Sequence, residues 1–226
     1  MSAKSGLLIQ DITGKLRYDI IMKKYAPGTS LTELQMAEEY GCTRTAIRAA
    51  MTVMEDEGLL KISANGRKKV LGVEEKDIYN IYELRNYIEQ TAVTQFMQNP
   101  RREFASIIDV LKRITDHTDK TLDAMLETDG RLHRAVIEAS GNRILLQTWN
   151  NINGIIDAMF QINMQSSETY RRWFVDTFCD RHILLFSALL KDIPTAQEVF
   201  RNHIAEARET SIEAFRQVRM NNGEKQ

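Results

Sequence analysis

Residues 41–60, GCTRTAIRAAMTVMEDEGLL, read as a short helix entered through a turn. Thr43 is a favourable N-cap and Gly58 a favourable stop, so the pattern predicts a helix from Arg44 to Glu57. Ile47, Ala50, Met51 and Met54 recur at i, i+3, i+4 and i+7 and make one apolar face. Thr45, Arg48, Ala49 and Thr52 fall on the opposite side, with Arg44 on the flank near the helix start. That outer face is small and cationic.

Upstream, PGTSLTELQMAEEYG at 27–41 opens on a Pro-Gly turn and offers Ser30 or Thr32 as a cap. Leu31, Leu34, Met36, Ala37 and Tyr40 serve as the apolar positions of a second helix. Two short helices joined by the tight YGCT turn make a helix-turn-helix, whose second helix enters a major groove about 12 Å wide only if its outer face is slim. The small residues at 45, 49 and 52 meet that condition. Downstream, LLKISANGRKKVLGV at 59–73 sets an Asn-Gly turn between two short strand-like runs, a hairpin signal. Its tip and returning strand carry Arg67, Lys68 and Lys69, placed for phosphate or minor-groove contact.

Residues 15–70 in this order resemble the winged helix-turn-helix of the GntR family of bacterial transcription regulators. The match runs through the leading helix, the PG turn, L-[ST]-E, A-E-x-x-G-x-[ST]-R-T-x-[IVL]-R, E-x-x-G-L and a glycine-tipped wing. The resemblance implies that Arg44 and Arg48 hold operator phosphates and guanine edges, that Thr43 and Thr45 help seat the helix, and that Gly66 and Arg67 bring the wing close to DNA. Two positions depart from the pattern. Leu34 stands where many members have arginine and Ala49 where many have glutamate, so one expected DNA contact is missing.

Charge is distributed as such a regulator requires. Residues 1–73 hold 11 Lys and Arg against 8 Asp and Glu, while the rest of the 226-residue chain holds 19 against 23. The first part can approach a polyanion and the second supplies solubility. Cys42 and Cys179 form no CxxC and no disulfide framework, as in a reducing cytosol. The first twenty residues lack an apolar run of signal-peptide or membrane-span length, which reads as a cytoplasmic protein without a membrane partner.

Beyond Val73 strand signals vanish, and prolines occur only at 27, 100 and 194. Residues 75–220 read as about six amphipathic helices, broken near Asn99-Pro100, Thr118 to Thr121, Ser140 to Asn142, Ser166 to Thr169 and Asp192 to Pro194. The expected architecture is mainly α: a winged helix-turn-helix over 1–73 and an all-α bundle over 74–226 for effector binding, metal binding and dimerisation.

Within the bundle, DGRLH places Asp129 and His133 at i, i+4, one turn apart on one helix face, which suits two ligands of one metal. His182 precedes an apolar stripe of Leu185 and Leu189, and His203 sits among Val199, Phe200, Ile204 and Ala207, so both can point inward. One carboxylate and three imidazoles form a transition-metal set, with zinc the first expectation and nickel, manganese or iron compatible. Residues 127–147 with 180–204 are similar to the metal-binding branch of the FadR-type C-terminal (FCD) domain. That branch uses the Asp and His of D-x3-H and one His from each of two later helices, here Asp129, His133, His182 and His203. His117 lies outside the pattern and reads as an exposed helix-end residue.

Two more polar groups bear on the cavity. Arg85 pairs with Glu89 at i+4 or clamps a carboxylate bidentately. Asn153 falls among Trp149, Ile152 and Ile156, where a buried amide needs a partner from the protein or from a ligand. The expected protein is a homodimer on two-fold symmetric double-stranded operator DNA, responding to a small organic or sugar acid. Two rivals use the same residues: a metal-only sensor, and an enzyme whose Asp/His3 metal activates water. The enzyme lacks an obvious general base beside the ligands and leaves the DNA-binding half unexplained.

Overall fold

Thr43 caps the helix that the 41–60 stretch predicts: its Oγ1 accepts the Ala46 N–H at 3.2 Å, and α3 runs Arg44–Asp56. The chain is described by a computed structural model covering residues 2–64, 66–116 and 121–221. Asn65, at the expected hairpin tip, and His117 fall outside those residues. Two compact units, Met1–Glu74 and Glu75–Gln226, divide the chain.

In the first unit, α1 (Ser2–Ile21) buries Leu16 and Ile20 as it packs on α3, which buries Ala46, Ile47, Ala50, Met51 and Met54. Arg17 on α1 ties to Glu57 just past α3 through a bidentate pair, Nε and Nη2 each 2.7 Å from a carboxylate oxygen. Thr32 caps α2 (Glu33–Glu39), and Gly41 takes φ +60° in the turn into α3, a left-handed conformation that glycine adopts without strain.

Two local expectations change. Leu31 is buried, but in strand β1 (Ser30–Leu31) rather than on α2. Leu34 is 57% exposed, because with the cap at Thr32 it opens the outer side of α2 while Met36 and Ala37 turn inward. The hairpin of β2 (Leu60–Ile62) and β3 (Lys68–Val70) forms as expected, and β1 adds to it antiparallel in the order β1-β3-β2. Its loop is longer than a two-residue turn. Ser63 N–H donates to Arg67 O at 2.8 Å across three residues, and Gly66 takes φ +76°, the left-handed end of a bulged loop.

The second unit consists of helices α4 (Glu75–Gln98), α5 (Ala105–Asp116), α6 (Leu122–Ala139), α7 (Arg143–Ser166), α8 (Glu168–Leu189) and α9 (Ile193–Asn221). Among the described residues this is the predicted all-α bundle of six helices, with the breaks near Asn99-Pro100, Ser140 to Asn142, Ser166 to Thr169 and Asp192 to Pro194 where turn and cap residues place them; the break expected at Thr118 to Thr121 lies largely outside the described residues. Thr121, Asn142 and Ser167 cap α6, α7 and α8 by accepting backbone N–H groups. One core gathers Phe96, Ile107, Ile114, Phe174, Phe178 and Phe200; another joins Ile88, Ala92, Ile137, Trp149 and Ile156. Among the described residues no helix is long and apolar enough to cross a membrane.

Candidate metal centre and nucleic-acid face

Asp129 and His133 project from successive turns of α6 toward His182 on α8 and His203 on α9. One ligand atom from each of the four lies within 4.8 Å of the others. The rings of His133 and His203 are 5.1 Å apart, and that of His182 is 6.4 and 5.7 Å from them.

Two hydrogen-bond patterns orient these groups. His133 Nδ1 is 2.6 Å from Glu89 Oε2; as the carboxylate accepts, Nδ1 carries a proton, and Nε2 is the nitrogen on the side of the ligand cluster. That Nε2 is buried with no hydrogen-bond partner. His182 Nδ1–H donates to Phe178 O at 2.6 Å, and its Nε2 faces Asp129 Oδ1 at 2.9 Å. A neutral imidazole has one N–H, so the second contact is completed by a further proton or by a cation that nitrogen and oxygen share. An orphaned buried nitrogen beside such a pair fits a transition-metal ligand set.

Charge is balanced inside the bundle. Burial works to raise the Asp129 carboxyl, but the His182 hydrogen bond and the charges of His133, His182 and Arg85 hold it well below the usual carboxylate range. Glu89 is likewise raised by burial and drawn down further by His133 and Arg85. His203 is pushed well below its ordinary value by burial and by His133 and His182.

Arg85 makes the predicted ion pair: its Nε donates to Glu89 Oε1 at 2.8 Å, both side chains are buried, and the guanidinium lies 5.5 Å from the Trp149 ring. Asn153 is half-buried; its Nδ2 donates to Asp157 Oδ2 at 2.9 Å, while its Oδ1 is buried without a partner. Gly130, next to Asp129, faces α7, and a Cβ there would meet Asn153 Oδ1 and Asp157 Oδ1 at 3.7 Å, an ordinary contact that does not demand glycine. Sequence reasoning missed Glu89 as the carboxylate behind His133, and Trp149 and Phe200, whose rings wall His133 at 6.2 and 6.3 Å. An acid among Tyr82, Ile88 and Ala92 on the buried face of α4 was the available signal for Glu89.

On the first unit Thr43, Arg44, Thr45 and Arg48 are exposed together at the start of α3. Glu33 on α2 holds both arginines, accepting from Arg48 Nε and Nη2 at 2.7 and 2.8 Å and lying 3.6 Å from Arg44. Gly66 and Arg67 are exposed on the wing. Lys68 is turned inward: its Nζ pairs with Glu55 at 2.6 Å, which docks the wing on α3 instead of extending toward solvent.

A slim cationic helix beside a basic wing, together with a helical bundle closed around polar ligands, defines a DNA-binding transcriptional regulator with an effector-binding half. Residues 8–70 match the family of bacterial regulatory proteins called gntR, and residues 80–206 match the FCD domain. The chain belongs to the GntR family of regulators, in its FCD-containing branch.

The HTH-type transcriptional regulator YdhC of Bacillus subtilis (strain 168) is 27% identical over 147 residues, which are 63% of this chain and 65% of YdhC, so less than two thirds of that relative is covered. The gluconate operon transcriptional repressor of Bacillus licheniformis is 22% identical over 179 residues, 77% of this chain and 72% of the repressor. The solved structure of Lar from Listeria monocytogenes superposes with a TM-score of 0.63 at 16% identity, covering 91% of this chain and 96% of that one, a likeness of fold.

Proposed function

We propose that residues 74–226 bind one divalent transition metal on Asp129, His133, His182 and His203, and that a small organic or sugar acid binds against it and changes the affinity of residues 1–73 for operator DNA. The observation that carries this reading is the buried, unpartnered Nε2 of His133 among four ligand atoms within 4.8 Å. Bound there, the metal supplies a hard cationic centre for an oxygen anion. Arg85 has its Nε on Glu89, so its terminal nitrogens are the part of the fork offered to the acid, and Asn153 Oδ1 is an acceptor for a hydroxyl. A relative named for repression of a gluconate operon supports a sugar acid as the class.

On the DNA side Thr43, Arg44, Thr45, Arg48, Gly66 and Arg67 are the contact residues, and Lys68 acts by fixing the wing through Glu55. A homodimer reads a two-fold symmetric site, because one small reading head has too little surface for tight specificity. The acid must favour one arrangement of the paired heads, with a coupling of about 1 to 3 kcal/mol that operator DNA returns on acid affinity.

The test is calorimetric titration of an acid panel, gluconate included, into metal-loaded and metal-stripped protein, with and without a duplex selected by the protein from a random library. Tighter binding in the loaded form, altered by DNA, is expected. Equal affinity in loaded and stripped forms overturns the metal-anchored site, and equal affinity with and without DNA overturns the switch.

A further inference from the structure

A groove of about 490 Å³ opens between α8 and α9, lined by Trp173, Thr177, Arg181, Asn202, His203 and Glu206 among others. His203 therefore belongs both to the ligand cluster and to this groove. Arg181 stacks over the Trp173 ring at 4.6 Å, which fixes the plane of its guanidinium, and pairs with Glu206 Oε2 at 2.5 Å across the two helices. The volume suits a small metabolite.

The two arginines near the cluster differ in how replaceable their partners are. Glu89, behind Arg85, is 1% exposed and also accepts from His133, so it cannot leave without stranding two buried donors. Glu206, on Arg181, is 45% exposed and rehydrates freely when displaced.

We infer that the groove is a second anion subsite in which an incoming carboxylate displaces Glu206 from Arg181, so that the effector is a short dicarboxylate held at the metal cluster by one end and at Arg181 by the other. This rests on the reading that a carboxylate binds in the bundle, and it adds the second charged end. Thr177 and Asn202 line the same groove and offer it hydroxyl and amide groups.

Calorimetric titration of succinate and of butyrate into full-length zinc-loaded protein tests it, with Arg181→Gln and Glu206→Gln alongside. Succinate should bind at least tenfold tighter than butyrate. Arg181→Gln should erase that preference while butyrate affinity and zinc content stay unchanged, and Glu206→Gln, which removes the competing carboxylate, should tighten succinate several-fold. Equal affinities for the two acids, or a succinate affinity that neither substitution moves, would overturn the subsite and leave the metal-anchored carboxylate standing. Failure of both acids to bind would also overturn the subsite, while the titration of the full acid panel, gluconate included, decides the metal-anchored reading on its own.

Discussion

Glu89 holds His133 by the nitrogen that does not face the ligand cluster: its Oε2 is 2.6 Å from Nδ1, and its Oε1 takes the Arg85 Nε–H at 2.8 Å. One buried carboxylate thus orients a metal ligand and neutralises an arginine. Glu89→Gln is expected to weaken zinc binding by about 10- to 100-fold, the usual effect of losing such a supporting partner. It also leaves Arg85 buried without its counter-charge, at roughly 3–5 kcal/mol of stability. Competition with a chromophoric chelator reads the first effect and thermal unfolding the second; unchanged zinc affinity would show that Glu89 does not orient His133.

A metal on three helices contributes its binding free energy to folding. Chelator treatment should therefore lower the melting temperature of the parent protein. His182→Ala, which removes the one ligand from α8, should lower metal occupancy and melting temperature together and leave a protein that chelator no longer destabilises. Metal analysis after dialysis decides it: full occupancy in the variant excludes the proposed ligand set.

Where periodicity or capping chemistry acts locally, the sequence was readable. Thr43 and Gly58 bracket α3, and the apolar positions Ile47, Ala50, Met51 and Met54 are its buried face. What depends on contacts distant in sequence was not. The pairing of β1 with β3 joins Leu31 to Lys68, and no local pattern in two residues announces a strand. Leu34 looked like a core residue because apolar character predicts burial only on average, and helix phase put it outside. At the candidate site the ligand types and their i, i+4 spacing were visible, but the carboxylate behind His133 comes from α4, 44 residues away. Lys68 was counted with the basic wing because its partner, Glu55, is met only when hairpin and helix pack.

Burial in the bundle pushes the Tyr82 hydroxyl up to about 12, against the opposing effects of Arg85 and of its hydrogen bond with Ser211 at 2.8 Å. A phenol whose folded value exceeds its unfolded one adds stability that is complete below about pH 10 and is lost as pH rises from there to about 12. The shift corresponds to about 2–3 kcal/mol. Denaturant unfolding between pH 9 and 12 should show this decline, and Tyr82→Phe should flatten it while costing stability at pH 8 through the polar groups of Ser211 and Asn163 left behind. A decline of equal size in the variant would assign the alkaline loss to other groups.

Glu33 grips Arg48 along one edge of its guanidinium, Nε and Nη2, and so leaves Nη1 and the outer Nη2 hydrogen to meet a second planar partner. Guanine O6 and N7 present such a partner in the major groove. Arg48→Ala is therefore expected to weaken operator binding by roughly 10- to 100-fold, the range of a bidentate base contact. Glu33→Gln should act differently. Removing a negative charge from the DNA-facing side strengthens attraction to any phosphate backbone, while releasing Arg48 from its fixed plane weakens base discrimination. Its binding to a scrambled duplex should rise as the operator-to-scrambled ratio falls. Fluorescence anisotropy with the library-selected duplex and its scrambled version, over a salt series, separates the two effects, because the backbone contribution weakens as salt rises and the base contribution does not. If the Arg48→Ala protein bound operator as tightly as the parent at matched salt, this face would not be the reading surface; if Glu33→Gln left the ratio unchanged, the carboxylate would be a bystander to an arginine that orients itself on DNA.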